Sequence, residues 1–398
     1  MSCSKLRVLI VPSWYPMAPA PSYGVFFREQ AQALARAGLG VSAVFPEMLP
    51  VLRASEFNVA RDVLRGSWET DEDGVLTRRV RSFAPDRWPT VRAWYWTAAC
   101  EALILRHCAR HGSPDLIHAH GAAWPFSAGA LSARAAAAVL RVPYVVTEHA
   151  SVFLENRPFP YGQAVRIRQG LASAARVVAV SRALAARLRQ WVDEDRLEVV
   201  GNLVDSRFFT IPDMRPQNPT ILCVAGLVPN KDVAGLLRGY AAAFPDEASP
   251  VLEIGGDGPE RASLETEVTR LGLSGRVRFL GHLDRNGVRD ALWRCGLFVL
   301  NSHLETFGVA LVEALATGVP VVATRCGGPE DVVGEADGLL VPHGNPKVLA
   351  RTLRTAWQAR DRFDPVGLRE RAVTRFGDRA ICNRLISLYE NVLAGRAR

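Results

Sequence analysis

The chain has 398 residues, 48% of them hydrophobic and 22% charged, with a formal net charge of +8. That length exceeds one ordinary core, so two domains are expected, and the balance of apolar and charged residues excludes a disordered chain. The positive charge permits an anionic partner, whether a sugar nucleotide, a phospholipid surface or a lipid diphosphate, without selecting one.

Seven scattered cysteines with no C-x-x-C pattern indicate neither a zinc site nor a disulfide framework and fit a reducing cytoplasm. The first apolar run, residues 8–11, is too short for a signal-peptide core. No uncharged stretch approaches the length of a membrane-spanning helix. Lysine occurs only at Lys5, Lys231 and Lys347, which makes Lys231 conspicuous among the arginines.

Short apolar runs alternate with helical patterns through residues 1–205, the rhythm of a parallel α/β sheet. Residues 6–11 read as the first strand, and a proline-rich loop leads to Gly24. Residues 25–37 then read as a helix closed by Gly38, and 41–45 as the second strand. A strand, a glycine-bearing loop and a helix can bring backbone N–H groups to a phosphate. A plain surface loop is the other reading. No G-x-G-x-x-G is present, so a dinucleotide site is not supported.

Residues 46–114 show no clear period. Arg78, Arg79, Arg81, Arg87 and Arg92 lie among Trp88, Trp94, Tyr95 and Trp96. That mixture suits an interfacial contact, and equally a solvated hairpin followed by an ordinary helix. Asp71-Glu72-Asp73-Gly74 reads as a hairpin turn rather than a metal motif. Residues 115–120, DLIHAH, form a strand with His118 and His120 on one face. Both could be satisfied core histidines, but the C-terminal end of a parallel strand is where open α/β sheets place ligands. A further strand, 142–147, ends at Glu148-His149.

Strand 174–180, helix 182–191 and the segment Gly201-Asn202-Leu203-Val204-Asp205 complete this half, and the proline-bearing 206–219 reads as a linker. The second half opens with strand 220–225, then Gly226-Leu227-Val228-Pro229-Asn230-Lys231-Asp232 and a helix over 233–244. A lysine just before a helix can neutralise a departing diphosphate. Strand 251–254 leads into Gly255-Gly256-Asp257-Gly258-Pro259, and strand 277–280 into Gly281-His282-Leu283.

The most informative stretch is residues 298–331, FVLNSHLETFGVALVEALATGVPVVATRCGGPED. A buried strand ends at Asn301-Ser302, and a loop carries Glu305. GVALVEALATG reads as a buried helix, stopped by Gly318 and Pro320. Residues 319–324 form the next strand, followed by the turn Gly327-Gly328-Pro329-Glu330. Glu305 stands just before the helix and Glu313 about two turns inside it, roughly 12 Å apart along the axis. A carboxylate in an apolar helix is costly unless paired. A sugar and a ribose joined by a diphosphate span a comparable length, and a helix N-terminus between them suits the diphosphate. A structural salt bridge plus an exposed acid is the competing explanation.

The paired glutamates, the helix, G-V-P-V-V-A and G-G-P-E resemble the C-terminal half of family 4 glycosyltransferases of the GT-B fold. The opening P-S-W-Y-P…G-V-F-F-R-E-Q resembles the same family, as do the T-E-H, G-N-L-V-D and Lys231 segments. The resemblance implies two Rossmann-like α/β domains facing across a cleft, with the C-terminal helix crossing back to the first. The corresponding division is 1–205 for acceptor binding, 206–219 as linker, 220–377 for the nucleotide sugar, and 378–398 as the returning helix. It implies Glu305, Lys231 and His120 as catalytic residues. Gly24, Glu313, Phe307, Gly308, His149, Asn202, Gly256 and Leu283 are implied on the donor. The family's arginine is missing here: Gly226 occupies its place.

The implied activity moves a hexose from a UDP- or GDP-linked donor to the hydroxyl of a sugar or lipid-linked acceptor. It proceeds with retention at the anomeric carbon and needs no metal or cofactor. Surface polysaccharide or glycolipid assembly in the cytoplasm is the expected setting, in peripheral contact with anionic membrane and without nucleic acid. A sugar-nucleotide epimerase or hydrolase, or a nucleotide-sugar-binding protein without turnover, are the alternatives.

Overall fold

A computed structural model describes residues 5–18, 23–50, 66–84, 89–123, 128–246 and 250–396. The chain divides into two compact units. The first comprises Met1–Val180, Leu184–Gly201 and Ile381–Arg398, and the second Ser181–Ala183 and Asn202–Ala380.

In chain order the first unit begins β1 (Arg7–Pro12), α1 (Val25–Arg36), β2 (Gly40–Pro50), β3 (Ser67–Asp71), β4 (Leu76–Ala84) and α2 (Pro89–His111). It continues with β5 (Leu116–His120), α3 (Gly129–Leu140), β6 (Tyr144–Glu148), α4 (Tyr161–Ala172), β7 (Arg176–Ala179), α5 (Arg182–Leu188) and β8 (Leu197–Val199). The sheet order is β3-β4-β2-β1-β5-β6-β7-β8. All neighbours are parallel except the β3–β4 hairpin. The central strands are buried along their whole length, which is why they read as near-continuous apolar runs.

The second unit contains β9 (Thr220–Val224), α6 (Val233–Ala243), β10 (Leu252–Gly255), α7 (Arg261–Arg270), β11 (Val277–Gly281), α8 (Arg285–Arg294) and β12 (Cys295–Leu300). It then adds α9 (Val309–Ala316), β13 (Val321–Arg325), α10 (Pro329–Val332), β14 (Gly338–Pro342), α11 (Pro346–Ala359) and α12 (Pro365–Phe376). Its sheet, β11-β10-β9-β12-β13-β14, is parallel throughout. The last helix, α13 (Asp378–Ala394), packs from Ile381 onward within the first unit, as expected from the sequence. Its Tyr389 is fully buried there, with its hydroxyl 2.7 Å from His118 Nδ1.

Each sheet has one switch point. The chain runs outward from β1 to β2 and returns to β5 on the other side of β1. In the second unit it runs outward from β9 through β10 to β11, then returns to β12 on the other side of β9. Strands diverge at such points, so the loops at their C-terminal ends leave a crevice for ligands.

The structure decides between the two readings of residues 46–114 in favour of a hairpin followed by an ordinary helix. β2 extends to Pro50, and residues 89–111 form a regular helix of 23 residues. The hairpin turn is confirmed, with Asp73 at φ 54° and Gly74 at φ 86°, as a two-residue turn with both residues left-handed requires. Arg78, Arg79 and Arg81 do not form an interfacial patch. Arg78 lies 2.5 Å from Glu69, Arg79 pairs with Glu47 at 3.1 Å and Glu72 at 2.6 Å, and Arg81 pairs with Glu47 at 2.7 Å. The two pairs to Glu47 fasten the hairpin to β2, and the other two lie within the hairpin itself. Trp96 is buried, while Trp94 and Tyr95 are exposed. Arg87 and Trp88 lie outside the described residues.

Candidate active site

At the first unit's switch point the backbone is drawn together by Ser13. Its N–H donates to His120 O at 2.9 Å and its hydroxyl to Gly121 O at 3.0 Å. Gly24 precedes α1 at φ 72°, and a Cβ there would stand 2.8 Å from Trp14 O. Only glycine fits both the left-handed backbone and that approach.

His118 and His120 share one face of β5 as predicted, their rings 4.2 Å apart. His118 resolves as a core histidine: its Nε2 meets Thr147 Oγ1 at 2.7 Å and its Nδ1 meets Tyr389. Burial pushes its pKa down to about 3. His120 Nδ1 shares a hydrogen bond with His149 Nε2 at 3.1 Å, while His120 Nε2 is buried with no partner among the described residues. Burial, and then the neighbouring His118 and His149, hold His120 well below the usual histidine range. Its imidazole is therefore neutral and able to donate or accept one further hydrogen bond. Phe27 packs against both rings at 4.7 Å.

Glu148, named at the strand end, is given no role by the sequence. Fully buried at the end of β6, it accepts from Ala122 N at 2.7 Å and Ala123 N at 3.3 Å, and from His149 N and Ala150 N at 2.8 Å each. One carboxylate thus joins the loops after β5 and β6 and fixes the backbone that carries His149. Burial raises its pKa against the four opposing N–H groups.

At the second unit's switch point, Lys231 ends a short turn between β9 and α6. Lys231 Nζ donates to Glu305 Oε1, which also accepts from Ser302 Oγ at 2.9 Å. The loops are joined by His303 N to Asn230 O at 2.7 Å and by Asn301 Nδ2 to Asp232 O at 3.0 Å. Asp232 caps α6 by accepting from Gly235 N at 3.0 Å. Glu305 is held through its backbone by the glycine turn. Glu305 N donates to Cys326 O at 3.2 Å and Gly328 N to Glu305 O at 2.7 Å. Glu330 closes that turn by accepting from Gly327 N at 3.0 Å and Cys326 N at 3.2 Å. A Cβ on Gly328 would lie 2.3 Å from Phe307 Cα, so the G-G-P-E segment has a steric reason.

The helix after Glu305 begins within one residue of its expected start: Gly308 takes φ 92° and α9 begins at Val309, while Glu305 bridges to Gly327 before it. Glu313, half-buried, is one turn inside rather than about two, roughly 6 Å from the helix start. The first N–H groups of α9 have no carbonyl of their own helix to meet and carry its positive dipole end. Phe307 is a core residue, its ring 5.3 Å from Phe376. Gly308 supplies the bend at the helix mouth.

Gly256 lies at φ 132° with its would-be Cβ 1.9 Å from Ala225 O, and its N–H donates to Gly281 O at 2.7 Å. Leu283 covers Gly255. These residues gather at the ends of β9, β10 and β11. Asn202 is buried two residues before Val204, whose N–H donates to Phe376 O at 2.9 Å, so it sits on the α12 side of the unit. Around Gly226 a Cβ would meet nothing within 4 Å.

Among the described residues one group has metal-ligand chemistry: Glu69, His107 and His111. The Arg78 guanidinium donates to the same Glu69 oxygen that faces both histidines, which opposes a divalent cation there.

The profile described as Glycosyltransferase Family 4 matches residues 24–208, and that described as Glycosyl transferases group 1 matches residues 207–371. Bacillus subtilis TuaC, assigned to glycosyl transfer in teichuronic acid biosynthesis, is 26% identical over 87% of this chain and 88% of its own. The lipopolysaccharide core biosynthesis glycosyltransferase LpsD of Rhizobium meliloti is 30% identical over 65% of this chain and 75% of its own. Among solved structures, sucrose-phosphate synthase from Thermosynechococcus elongatus superposes with TM-score 0.76 at 21% identity, covering 98% of this chain and 99% of that one. Anabaena HepE in complex with UDP-glucose gives 0.70 at 18%, covering 97% and 100%. With two Rossmann-like sheets of matching topology and family profiles spanning both units, the chain belongs to the family 4 glycosyltransferases of the GT-B fold.

Proposed function

We propose that this glycosyltransferase moves a hexose from a UDP- or GDP-linked donor to the hydroxyl of a sugar or lipid-linked acceptor in surface polysaccharide or glycolipid assembly. Transfer retains the anomeric configuration and needs neither metal nor cofactor. The proposed setting is the cytoplasm, at the inner face of an anionic membrane. The observation that carries the reading is the Lys231–Glu305 pair beside the open mouth of α9, at the second unit's switch point. Relatives named for lipopolysaccharide and teichuronic acid synthesis, and a structural neighbour solved with UDP-glucose, support the donor and acceptor classes.

In this reading the Lys231 ammonium and the first N–H groups of α9 take the donor diphosphate, and Glu313 accepts from the ribose hydroxyls. Glu305 then turns its carboxylate to the sugar. The bond from the anomeric carbon to the phosphate oxygen breaks, with its electron pair leaving on the diphosphate. The acceptor oxygen bonds to the same carbon on the same face, and its proton passes to the departing phosphate oxygen. Positive groups waiting at the diphosphate stabilise charge that is greatest in the transition state. In the first unit His120 and His149 offer hydrogen-bonding groups suited to sugar hydroxyls, and Gly24 opens the start of α1.

A thermal-shift panel of UDP-, GDP- and ADP-sugars tests the donor class, because a ligand that binds the native state raises its melting point. NMR of the product from the stabilising α-linked donor should then show an α linkage. A β-linked product contradicts retention, and free sugar or an epimer without transfer supports the hydrolase or epimerase alternative.

A further inference from the structure

The long helix α2 presents one face to solvent along its described length, and that face has the wrong composition for water. Val91, Trp94, Tyr95 and Leu105 are exposed by 51%, 71%, 46% and 41%. Ala98 and Ala102 are exposed between them, and Arg106 and Arg110 follow. At 100° per residue the six apolar positions fall within an arc of about 100°, and both arginines lie on the same flank of it. The opposite face is ordinary core: Ala93, Trp96, Cys100, Leu103, Ile104 and Cys108. The helix carries one acid, Glu101, half-buried at the other flank, where burial raises its pKa.

We propose that this face of α2 is a docking surface for an anionic lipid bilayer. A single convex helix stripe with tryptophan and tyrosine suits the headgroup boundary, where one end of each ring is apolar and the other wet. Arg106 and Arg110 are exposed with no ion-pair partner among the described residues, and a planar negative surface would engage both together. A protein partner would instead need acids or a concave apolar seat. No described helix is long and apolar enough to cross a membrane, so the contact lies in the interface plane. The inference names the surface for the membrane setting proposed above and rests on α2 alone, not on the donor chemistry.

The test is co-sedimentation of the full chain with vesicles of phosphatidylcholine, with and without phosphatidylglycerol. The wild-type chain should pellet with the anionic vesicles and less as salt is raised. The variant Trp94→Ser/Tyr95→Ser/Leu105→Ser should lose at least about tenfold in partitioning, and Arg106→Gln/Arg110→Gln should lose binding only to anionic vesicles. Trp94→Phe should still pellet but lose the vesicle-induced blue shift of tryptophan fluorescence, which places Trp94 itself in lipid. Equal partitioning of wild type and the triple variant, or no pelleting at all, overturns the proposal. So does a concentration-dependent dimer that the triple variant abolishes, since a second copy then covers the face. Nucleotide-sugar thermal shifts on the same variants separate this failure from failure of the donor reading, because these surface residues are remote in sequence from Lys231, Glu305 and Glu313.

Discussion

A few side chains carry most of the chemistry, and each makes a specific demand. Lys231 and Glu305 keep each other's charge partnered, and Ser302 holds the carboxylate in place. Lys231→Ala should lower kcat by roughly a hundredfold, about 3 kcal/mol, while weakening donor binding much less, as expected for leaving-group stabilisation. Steady-state kinetics with an unchanged kcat would remove that role. Gly226 stands where the family carries arginine, with open space around it. Gly226→Arg should therefore fit and tighten donor binding by up to about 1 kcal/mol; unchanged affinity would mean that Lys231 and the backbone dipoles suffice. Lys231 and Glu305 were each legible as site residues from type and position, but the ion pair between them was not. Nor was the role of Glu148, because its four partners are backbone N–H groups contributed by two separate loops, and backbone leaves no mark in the sequence. The same holds for the Tyr389 hydroxyl on His118, a contact 271 positions apart.

Elements set where those side chains stand, and glycines set the elements. Gly256→Ala would drive a methyl group into Ala225 O and force a left-handed backbone on a branched α-carbon. It should destabilise the second unit by about 2–3 kcal/mol in urea unfolding; a smaller cost would mean that the turn after β10 has room to move. The strands and most helices were legible because parallel strands are apolar throughout and helices carry terminal glycines. The start of α9 was legible to within one residue, since the apolar pattern begins at Gly308 and the helix at Val309; the depth of Glu313 was not, being one turn rather than about two. In residues 46–114 the hairpin followed by an ordinary helix was one of the two readings, and the period was blurred because α2 carries apolar residues on its outer face as well as its inner one. That outer face is the one proposed for lipid.

At the scale of the whole molecule, buried neutral histidines couple stability to acidity. Burial pushes His107 down to about 4 and His118 down to about 3, and His120 also lies well below its ordinary value. The unfolded chain binds these protons near pH 6.5 and the folded chain does not, so stability is full above that pH and falls as pH drops toward the folded values. Each histidine adds a slope of about 1.4 kcal/mol per pH unit within its window. His118→Gln should remove one such slope between about pH 6 and 4 in denaturant titrations; an unchanged slope would mean that His118 is protonated in the folded chain.

The central claim is that the second unit grips a sugar nucleotide by its two ends, with Glu313 at the ribose and the Lys231–Glu305 pair at the diphosphate and sugar. Calorimetric titration of the stabilising nucleotide sugar into the wild-type chain and into Glu313→Ala tests it most directly. The account predicts a loss of about 1–3 kcal/mol in binding free energy, from charge-assisted hydrogen bonds to the ribose. Equal affinity in the two proteins would contradict it.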